Sequence, residues 1–369
     1  RGDDILMLQP FMQDIVHGNS VGVSDIVKQK GEGAVVECLK VVARDEYEVL
    51  VDITDLLEKN ESYFGLGRFE MDLGIGTYVP ESSFLKEVCP AAKSLTIRFV
   101  RTCMSVSPFP DPSVKSEPTR WEYGVSLCLL DKIPMEGRMI DGRVGYFTNK
   151  VRNYDNAVYD KGECEFISRW KLVPHREQLE AYLGGDLVEP IKPIVFYIDK
   201  QIPTWLYPYV KRAVEAWQPA FERAGFKNAI LARPEPTYAE DSVFSVDNAR
   251  YAYISYKTSP LKNAYGPSSV DPRSGEILCS HIGIFNSISD LVQELYFCQA
   301  GAVDSLARRI VLPDTLLGKL IQYVVCHEVG HALGLKHNFR GSSVFSTASL
   351  RDKEFLRNNG HGASIMDYM

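Results

Sequence analysis

Cysteine is sparse in this sequence and follows no pairing pattern. The chain has eight cysteines among 369 residues, and no two of them stand in a CxxC arrangement. This density is too low for a small fold that disulfides hold together. Buried free thiols and one or two disulfides both stay open as interpretations, so cysteine usage leaves the cellular compartment undecided.

Long hydrophobic runs and an excess of positive charge are also missing. No apolar stretch approaches the roughly 18–20 residues that a membrane-spanning helix needs, so the sequence predicts no transmembrane segment. The formal net charge of −7 and the isoelectric point near 5.6 argue against a nucleic-acid-binding protein. The first residues, Arg1–Asp4, do not have the pattern of a signal peptide.

What is present is an ordinary globular composition in two distinct halves. Hydrophobic residues make up 45% and charged residues 24% of the chain, which excludes disordered and fibrous classes. The length exceeds what one ordinary core organises. Glycines and prolines at 184–193 mark a boundary. We therefore expect a β-rich domain over residues 1–185 and a second domain over residues 186–369.

The two halves carry different secondary-structure patterns. In the first half, short runs rich in β-branched and aromatic residues predict strands at 34–44, 94–101, 123–130 and 165–170, with short helices at 9–17 and 80–92. In the second half, the pattern predicts strands at 194–198, 229–232, 250–256 and 277–285 and long helices at 204–225 and 314–333. Pro219 predicts a kink or an early end in the first long helix. The order strand, helix, strands, helix in the second half predicts a layered domain of the α/β or α+β class, and α+β is the class that we expect.

The end of the second long helix carries a histidine-rich motif. Residues 327–337 read His-Glu-Val-Gly-His-Ala-Leu-Gly-Leu-Lys-His and hold three of the seven histidines of the chain. His327 and His331 are four residues apart, so on a helix they lie one turn apart on one face and can reach the same zinc ion. Gly334 can end the helix and bring His337 round as a third ligand. Three protein ligands leave a fourth position for water, as in catalytic zinc sites.

Glu328 lies beside these histidines and completes a hydrolytic constellation. Zinc lowers the pKa of its bound water toward about 7, Glu328 can accept the proton as a general base, and the hydroxide can attack a peptide carbonyl. Histidines without a metal, and a zinc site that does not catalyse, stay open as alternatives. The carboxylate of Glu328 favours catalysis, because zinc binding alone does not need it. Gly334 and His337 argue against a site whose third ligand is a distant glutamate.

The motif resembles the HExxHxxGxxH signature of the metzincin clan of zinc endopeptidases, which a Met-turn follows. In the candidate turn Ser364–Tyr368, the resemblance implies that Met366 packs beneath the three histidines. Tyr368 stands where some metzincins have a tyrosine that ligates zinc or stabilises an oxyanion, and a structural tyrosine stays open as the alternative. A zincin-like domain with a mixed twisted sheet and two long helices is implied, in which strand 277–285 is the upper edge strand that pairs with substrate.

More of the chain resembles large secreted or envelope-associated bacterial zinc metalloproteases that have a β-rich N-terminal domain. The stretches that carry this resemblance are Pro134–Met135, Asp141–Phe147, Phe166–Trp170, Ala264–Pro267 and His337–Phe339. The resemblance implies a secreted or periplasmic protein whose signal peptide is not in this sequence. Because a metzincin normally continues into a C-terminal helix, we expect the catalytic domain to be incomplete at Met369.

Taken together, these patterns predict a zinc-dependent endopeptidase that acts on protein or peptide substrates. The expected cofactor is Zn²⁺, and the expected catalytic base is Glu328. A latent or degenerate zinc-containing protein used for peptide binding or adhesion is the alternative. The N-terminal domain is either an accessory scaffold or a pro-like domain that blocks the zinc, and the residues suited to blocking are Cys103, Cys164 and Asp141. Oligomeric state has no signature in the sequence.

Overall fold

The computed structural model forms two compact units. It describes residues 5–9, 13–15, 34–59, 64–65, 69–106, 115–153, 163–258, 264–266 and 268–367. The first unit comprises Arg1–Leu130 with Lys150–Glu163, and the second comprises Asp131–Asn149 with Cys164–Met369. The second unit includes residues that the sequence analysis assigned to the first domain, so the functional boundary near residue 185 stays a prediction. Within the described residues, none of the helices combines the length and hydropathy that crossing a membrane requires.

The first unit is β-rich, as predicted. Its strands and helices are β1 (Ile5–Gln9), β2 (Gln13–Ile15), β3 (Ala34–Leu39), β4 (Val41–Arg44), β5 (Val49–Val51), α1 (Thr54–Lys59), α2 (Phe69–Asp72), β6 (Ile75–Ala91), β7 (Ser94–Ser105) and β8 (Pro118–Cys128). Two further strands, β9 (Thr148–Asn153) and β10 (Glu163–Ile167), lie where the chain passes from one unit to the other.

The long strands β6, β7 and β8 form an antiparallel sheet that carries the core of the first unit. Ile97 and Phe99 of β7 are buried and pack with Leu56, Leu57 and Phe64. Their alternation with polar residues is the pattern that predicted a strand here. The short helices predicted at 9–17 and 80–92 are wrong, because 13–15 is a strand and 80–91 lies within β6, where it pairs with β7. That pairing is a tertiary interaction that local composition does not encode.

The second unit contains a mixed sheet with helices. Its remaining elements are α3 (Leu179–Leu183), β11 (Ile194–Ile198), α4 (Tyr207–Glu215), α5 (Gln218–Arg223), β12 (Ile230–Pro234), β13 (Ala252–Lys257), β14 (Ala264–Tyr265), β15 (Ser268–Val270), β16 (Ile277–Phe285), α6 (Ile288–Ala300), α7 (Asp314–Ala332) and α8 (Lys353–Asn359). Short 3₁₀ turns are found at Arg176–Gln178, Leu306–Arg308, Phe339–Ser343 and Ser349–Arg351. This architecture confirms the predicted α+β class.

The strand order of this sheet is β12-β11-β13-β16-β14, with β15 also paired to β16. The first four strands are parallel, whereas β14 and β15 run antiparallel to β16. The expectation that residues 277–285 form the edge strand is therefore wrong. β16 has neighbours on both sides, and the edge beyond it is formed by the short strands β14 and β15.

Helices α4, α6 and α7 pack with the sheet and bury the main core. Val210 and Val214 of α4 and Val325 of α7 pack into a cluster with Phe196 and Ile282 of the sheet. The helix predicted at 204–225 is divided into α4 and α5, because Pro219 enters the first turn of α5 and lacks the N–H that a continuous helix needs. The helix predicted at 314–333 is confirmed as α7, which carries the histidine motif.

Candidate metal centre

The chain turns sharply where α7 ends. Gly334 has φ +100° and follows the last helical turn, where the amide of Leu335 donates to the carbonyl of Gly330 at 3.0 Å. A Cβ at Gly334 would lie 2.1 Å from the carbonyl oxygen of Ser168, so this position needs glycine for space as well as for conformation. The turn directs residues 335–337 back toward the helix, as the sequence predicted.

This turn brings three histidine side chains together. One ring nitrogen from each of His327, His331 and His337 lies within 4.8 Å of the other two. The Nε2 atoms of His331 and His337 are 3.1 Å apart. The ring centroid of His327 lies 4.7 Å from that of His331 and 5.2 Å from that of His337. Among the described residues, these three are the group of metal-ligating side chains that the fold assembles.

Backbone carbonyls orient two of the three rings. The Nδ1 atom of His327 lies 2.7 Å from the carbonyl oxygen of Ile365, and the Nδ1 atom of His331 lies 2.7 Å from that of Leu335. A carbonyl oxygen only accepts, so each Nδ1 carries the proton and donates it. The Nε2 atom of each ring is then left with a lone pair, which is the form that binds a metal.

Burial favours the neutral form of the His327 and His331 rings. It lowers the pKa of His327 and of His331 below the ordinary value, although the hydrogen bonds to Ile365 and Leu335 act in the opposite direction. A neutral imidazole has the lone pair that a protonated one lacks. In a tetrahedral zinc site with Zn–N bonds of about 2.0–2.1 Å, two ligand nitrogens stand roughly 3.3 Å apart. The Nε2 atoms of His331 and His337 have nearly this separation. The three residues therefore fit a zinc ion.

Glu328 follows His327 directly on α7 and is partly buried. Desolvation raises the pKa of its carboxyl group to about 7. Gly266, which directly follows β14, lies close to it, because a Cβ at Gly266 would lie 3.1 Å from the backbone carbonyl of Glu328. The β14 side of the sheet is thus near the histidine group.

Met366 is buried in a turn that lies against α7. A Cβ at Gly330 would lie 2.2 Å from its Sδ atom and 2.8 Å from the indole of Trp217. The carbonyl of Met366 accepts from the amide of Asn338 at 2.7 Å, next to His337. The methionine therefore packs on the helix turn that lies between His327 and His331. Its role as the floor of a metal site remains a proposal.

The other residues predicted for the site either do not join the histidine group or fall outside the described residues. Tyr368 falls outside the described residues. The carboxylate of Asp141 is exposed and pairs with Arg143, with Oδ2 and Nη2 2.5 Å apart. Neither Cys103 nor Cys164 joins the histidines in the described group. The sequence analysis missed the carbonyls of Leu335 and Ile365, since a backbone acceptor has no residue-type signature.

Two known families match different parts of the chain. Residues 1–175 match a family described as a domain of unknown function (DUF5117), and residues 309–369 match a family described as Met-zincin. No curated protein and no solved structure matches the chain. The second match contains all three histidines and Met366. The C-terminal part of this chain therefore resembles the Met-zincin family, and the matched region includes a histidine triad that could hold a metal ion.

Proposed function

We propose that this protein is a zinc-dependent endopeptidase. The observation that carries the proposal is the convergence of His327, His331 and His337 at the end of one helix that also presents Glu328. Structural zinc sites use four protein ligands, whereas three leave a position for water or substrate. Zinc held by these residues would supply the Lewis acid that activates water and polarises a peptide carbonyl.

Glu328 is the residue that moves the proton in this proposal. It accepts a proton as general base during attack on the peptide carbonyl and returns it to the leaving amine as general acid. The carbonyls of Leu335 and Ile365 keep the rings of His331 and His327 in one orientation throughout. Met366 supports the helix from below. Tyr368, two residues further on, is proposed to assist at the oxyanion.

The substrate is proposed to bind as an extended peptide along the free edge of the sheet. β15 (Ser268–Val270) and β14 (Ala264–Tyr265) form that edge, and Gly266 between them passes beside the backbone of Glu328. An extended peptide can add to such an edge through main-chain hydrogen bonds. A peptide bound in this way would run past the histidines, which supports the proposal of an endopeptidase.

Residues 186–369 carry the catalysis in this proposal, and residues 1–185 form an accessory domain. A secreted or periplasmic location is proposed from the resemblance to bacterial secreted metalloproteases. Peptide capture without cleavage is the competing function. It would need the three histidines but not a carboxylate in the position of Glu328.

The test is cleavage of an unfolded protein by the zinc-loaded full-length protein and by its Glu328→Gln variant. Glutamine has the size of glutamate but cannot act as a base, so we expect at least a hundredfold loss of cleavage. Zinc content is measured for both proteins in the same preparation and should be equal. If zinc-loaded parent protein leaves the substrate intact, peptide capture becomes the better explanation.

A further inference from the structure

Two segments from the part of the chain that precedes the sheet are hydrogen-bonded to each other beside the metal centre. Residues 138–147 and 165–170 are here called the brace. The amide of Ile140 donates to the carbonyl of Glu165, that of Ile167 to Arg138, and that of Ser168 to Phe147, over 2.7–2.9 Å. Both segments belong to the second unit. The brace is thus a small backbone-paired structure rather than two independent loops.

The brace pairs with the segment that joins the second and third histidines. The amide of Phe147 donates to the carbonyl of Gly334 at 2.8 Å, and the amide of Lys336 donates to the carbonyl of Gly145 at 3.0 Å. Tyr146 and Leu335 thereby form an antiparallel bridge. Residues 334–336 lie beyond the end of α7. The amides of Gly334 and Leu335 still donate to the last turn of the helix, but the amide of Lys336 donates to the brace instead. The brace provides backbone partners that the helix cannot.

This pairing acts on two of the three histidines. Leu335, which faces the brace, supplies the carbonyl that accepts from the Nδ1 of His331. Lys336, which donates to the brace, directly precedes His337. The ring of Phe147 also contacts the ring of His331, with centroids 5.7 Å apart and planes tilted by 50°. The orientation of His331 and the path to His337 therefore both depend on residues of the brace.

A second set of contacts holds the other segment of the brace to the same turn. The indole of Trp170 donates to the carbonyl of Ala332 at 2.9 Å, at the C-terminus of α7. The carbonyl of Ser168 occupies the space where a Cβ of Gly334 would be. Residues 165–170 therefore pack against the turn where Gly334 lacks a side chain. Residues 145–147 pair with residues 334–336, which follow the helix.

We propose that the brace is a positioning element of the metal centre, with Phe147 as its positioning residue. Part of the region that matches a domain of unknown function would thus serve to order the second and third ligands before a metal binds. Ordering a site in advance removes conformational entropy that binding would otherwise have to overcome. The inference rests on the proposed zinc site, but it predicts a metal affinity and not only an activity.

The test is the zinc affinity of the full-length Phe147→Ala variant, measured by competition with a chromophoric chelator. Phe147 is 43% exposed, so its truncation opens no sealed cavity and the fold should persist. Residues that orient metal ligands typically contribute 10–100-fold to affinity, and we expect a loss of about 10-fold. Phe147→Tyr keeps the ring and should bind as the parent does. The visible spectrum of the Co²⁺-loaded protein should change in Phe147→Ala only.

Phe84→Ala is the matched control, because Phe84 is 55% exposed and belongs to the first unit. The melting temperature of the metal-free protein is measured for every variant. Unchanged zinc affinity in Phe147→Ala overturns the inference. A loss of zinc affinity also overturns it if the melting temperature of the metal-free variant is lower than that of the parent. If Phe147→Ala does not fold, Phe147→Leu takes its place, and parent-like affinity of that variant overturns the inference. A parent protein that takes up no zinc refutes the proposed function itself.

Discussion

His281 is a partly buried histidine of the sheet, with a buried Nε2 atom, and its environment opposes a positive charge. It lies on β16 opposite Tyr253 of β13, with the two rings 5.4 Å apart and nearly perpendicular. Burial, and secondarily the charge of Lys257, lower the pKa of His281 to about 4, while Asp247 acts weakly in the other direction. Its Nε2 has no hydrogen-bond partner among the described residues.

The free energy of unfolding should therefore depend on pH through His281. In the unfolded chain its pKa is about 6.5, so above that pH both states are neutral and the residue has no effect. As the pH falls from 6.5 to 4, the unfolded state binds a proton that the folded state does not, which destabilises the fold by up to about 3 kcal/mol. Between pH 7.5 and pH 4.5, the free energy of unfolding measured with urea should fall less in His281→Gln than in the parent. His361→Gln, at an exposed position, is the control. Equal losses in parent and His281→Gln would contradict this assignment.

At the scale of single residues, the sequence predicted the ligand types but not their partners. The spacing of His327 and His331 follows from helix geometry alone, and Gly334 has the positive φ that the predicted turn requires. The carbonyls of Leu335 and Ile365 were not predictable, because each residue has such a group and only the fold decides which of them faces an imidazole.

At the scale of elements, the turn after α7 is the most constrained position of the site. Gly334→Ala introduces a Cβ at φ +100° and within 2.1 Å of the carbonyl of Ser168. We expect the free energy of unfolding to fall by at least about 2 kcal/mol, since left-handed backbone is costly for a residue with a Cβ and the brace must also move. Chemical denaturation of the metal-free protein measures this loss.

Gly142→Ala is the matched control for that substitution. Gly142 belongs to the brace, but a Cβ there has no atom within 4 Å, and its φ is not in the left-handed region. Its stability should stay within about 0.5 kcal/mol of the parent. Equal free energies of unfolding for the two alanine variants would contradict the close approach of Ser168 to Gly334.

The elements themselves were predictable to different degrees. Residues 194–198 and 277–285 form strands with the predicted bounds, because both are short apolar runs between turn residues. Residues 80–92 have no such pattern, and their pairing with β7 makes them a strand. Residues 204–225 have one apolar stripe across two helices, so periodicity alone did not locate the break before Pro219.

At the scale of the whole molecule, zinc should stabilise the folded protein. A ligand that binds the folded state and not the unfolded state adds about 2.7 kcal/mol when its free concentration is one hundred times its Kd. Differential scanning calorimetry with zinc, and again after treatment with a chelator, should show the melting temperature of the second unit fall. His337→Ala, which removes one ligand, should melt at nearly the same temperature in both conditions. A melting temperature that does not respond to zinc in the parent would argue against the site.

The sequence by itself determined the class of the fold and which residues are candidate metal ligands. Apolar periodicity and histidine spacing are local, since a helix converts sequence separation directly into direction in space. Only the tertiary structure decided that β14 and β15 lie beyond β16 in the sheet and that Gly145–Phe147 pairs with Gly334–Lys336. These segments lie about half the chain apart and meet through main-chain groups, which residues of any type other than proline possess. For that reason the candidate metal ligands could be predicted from residue types, whereas the backbone that holds them could not.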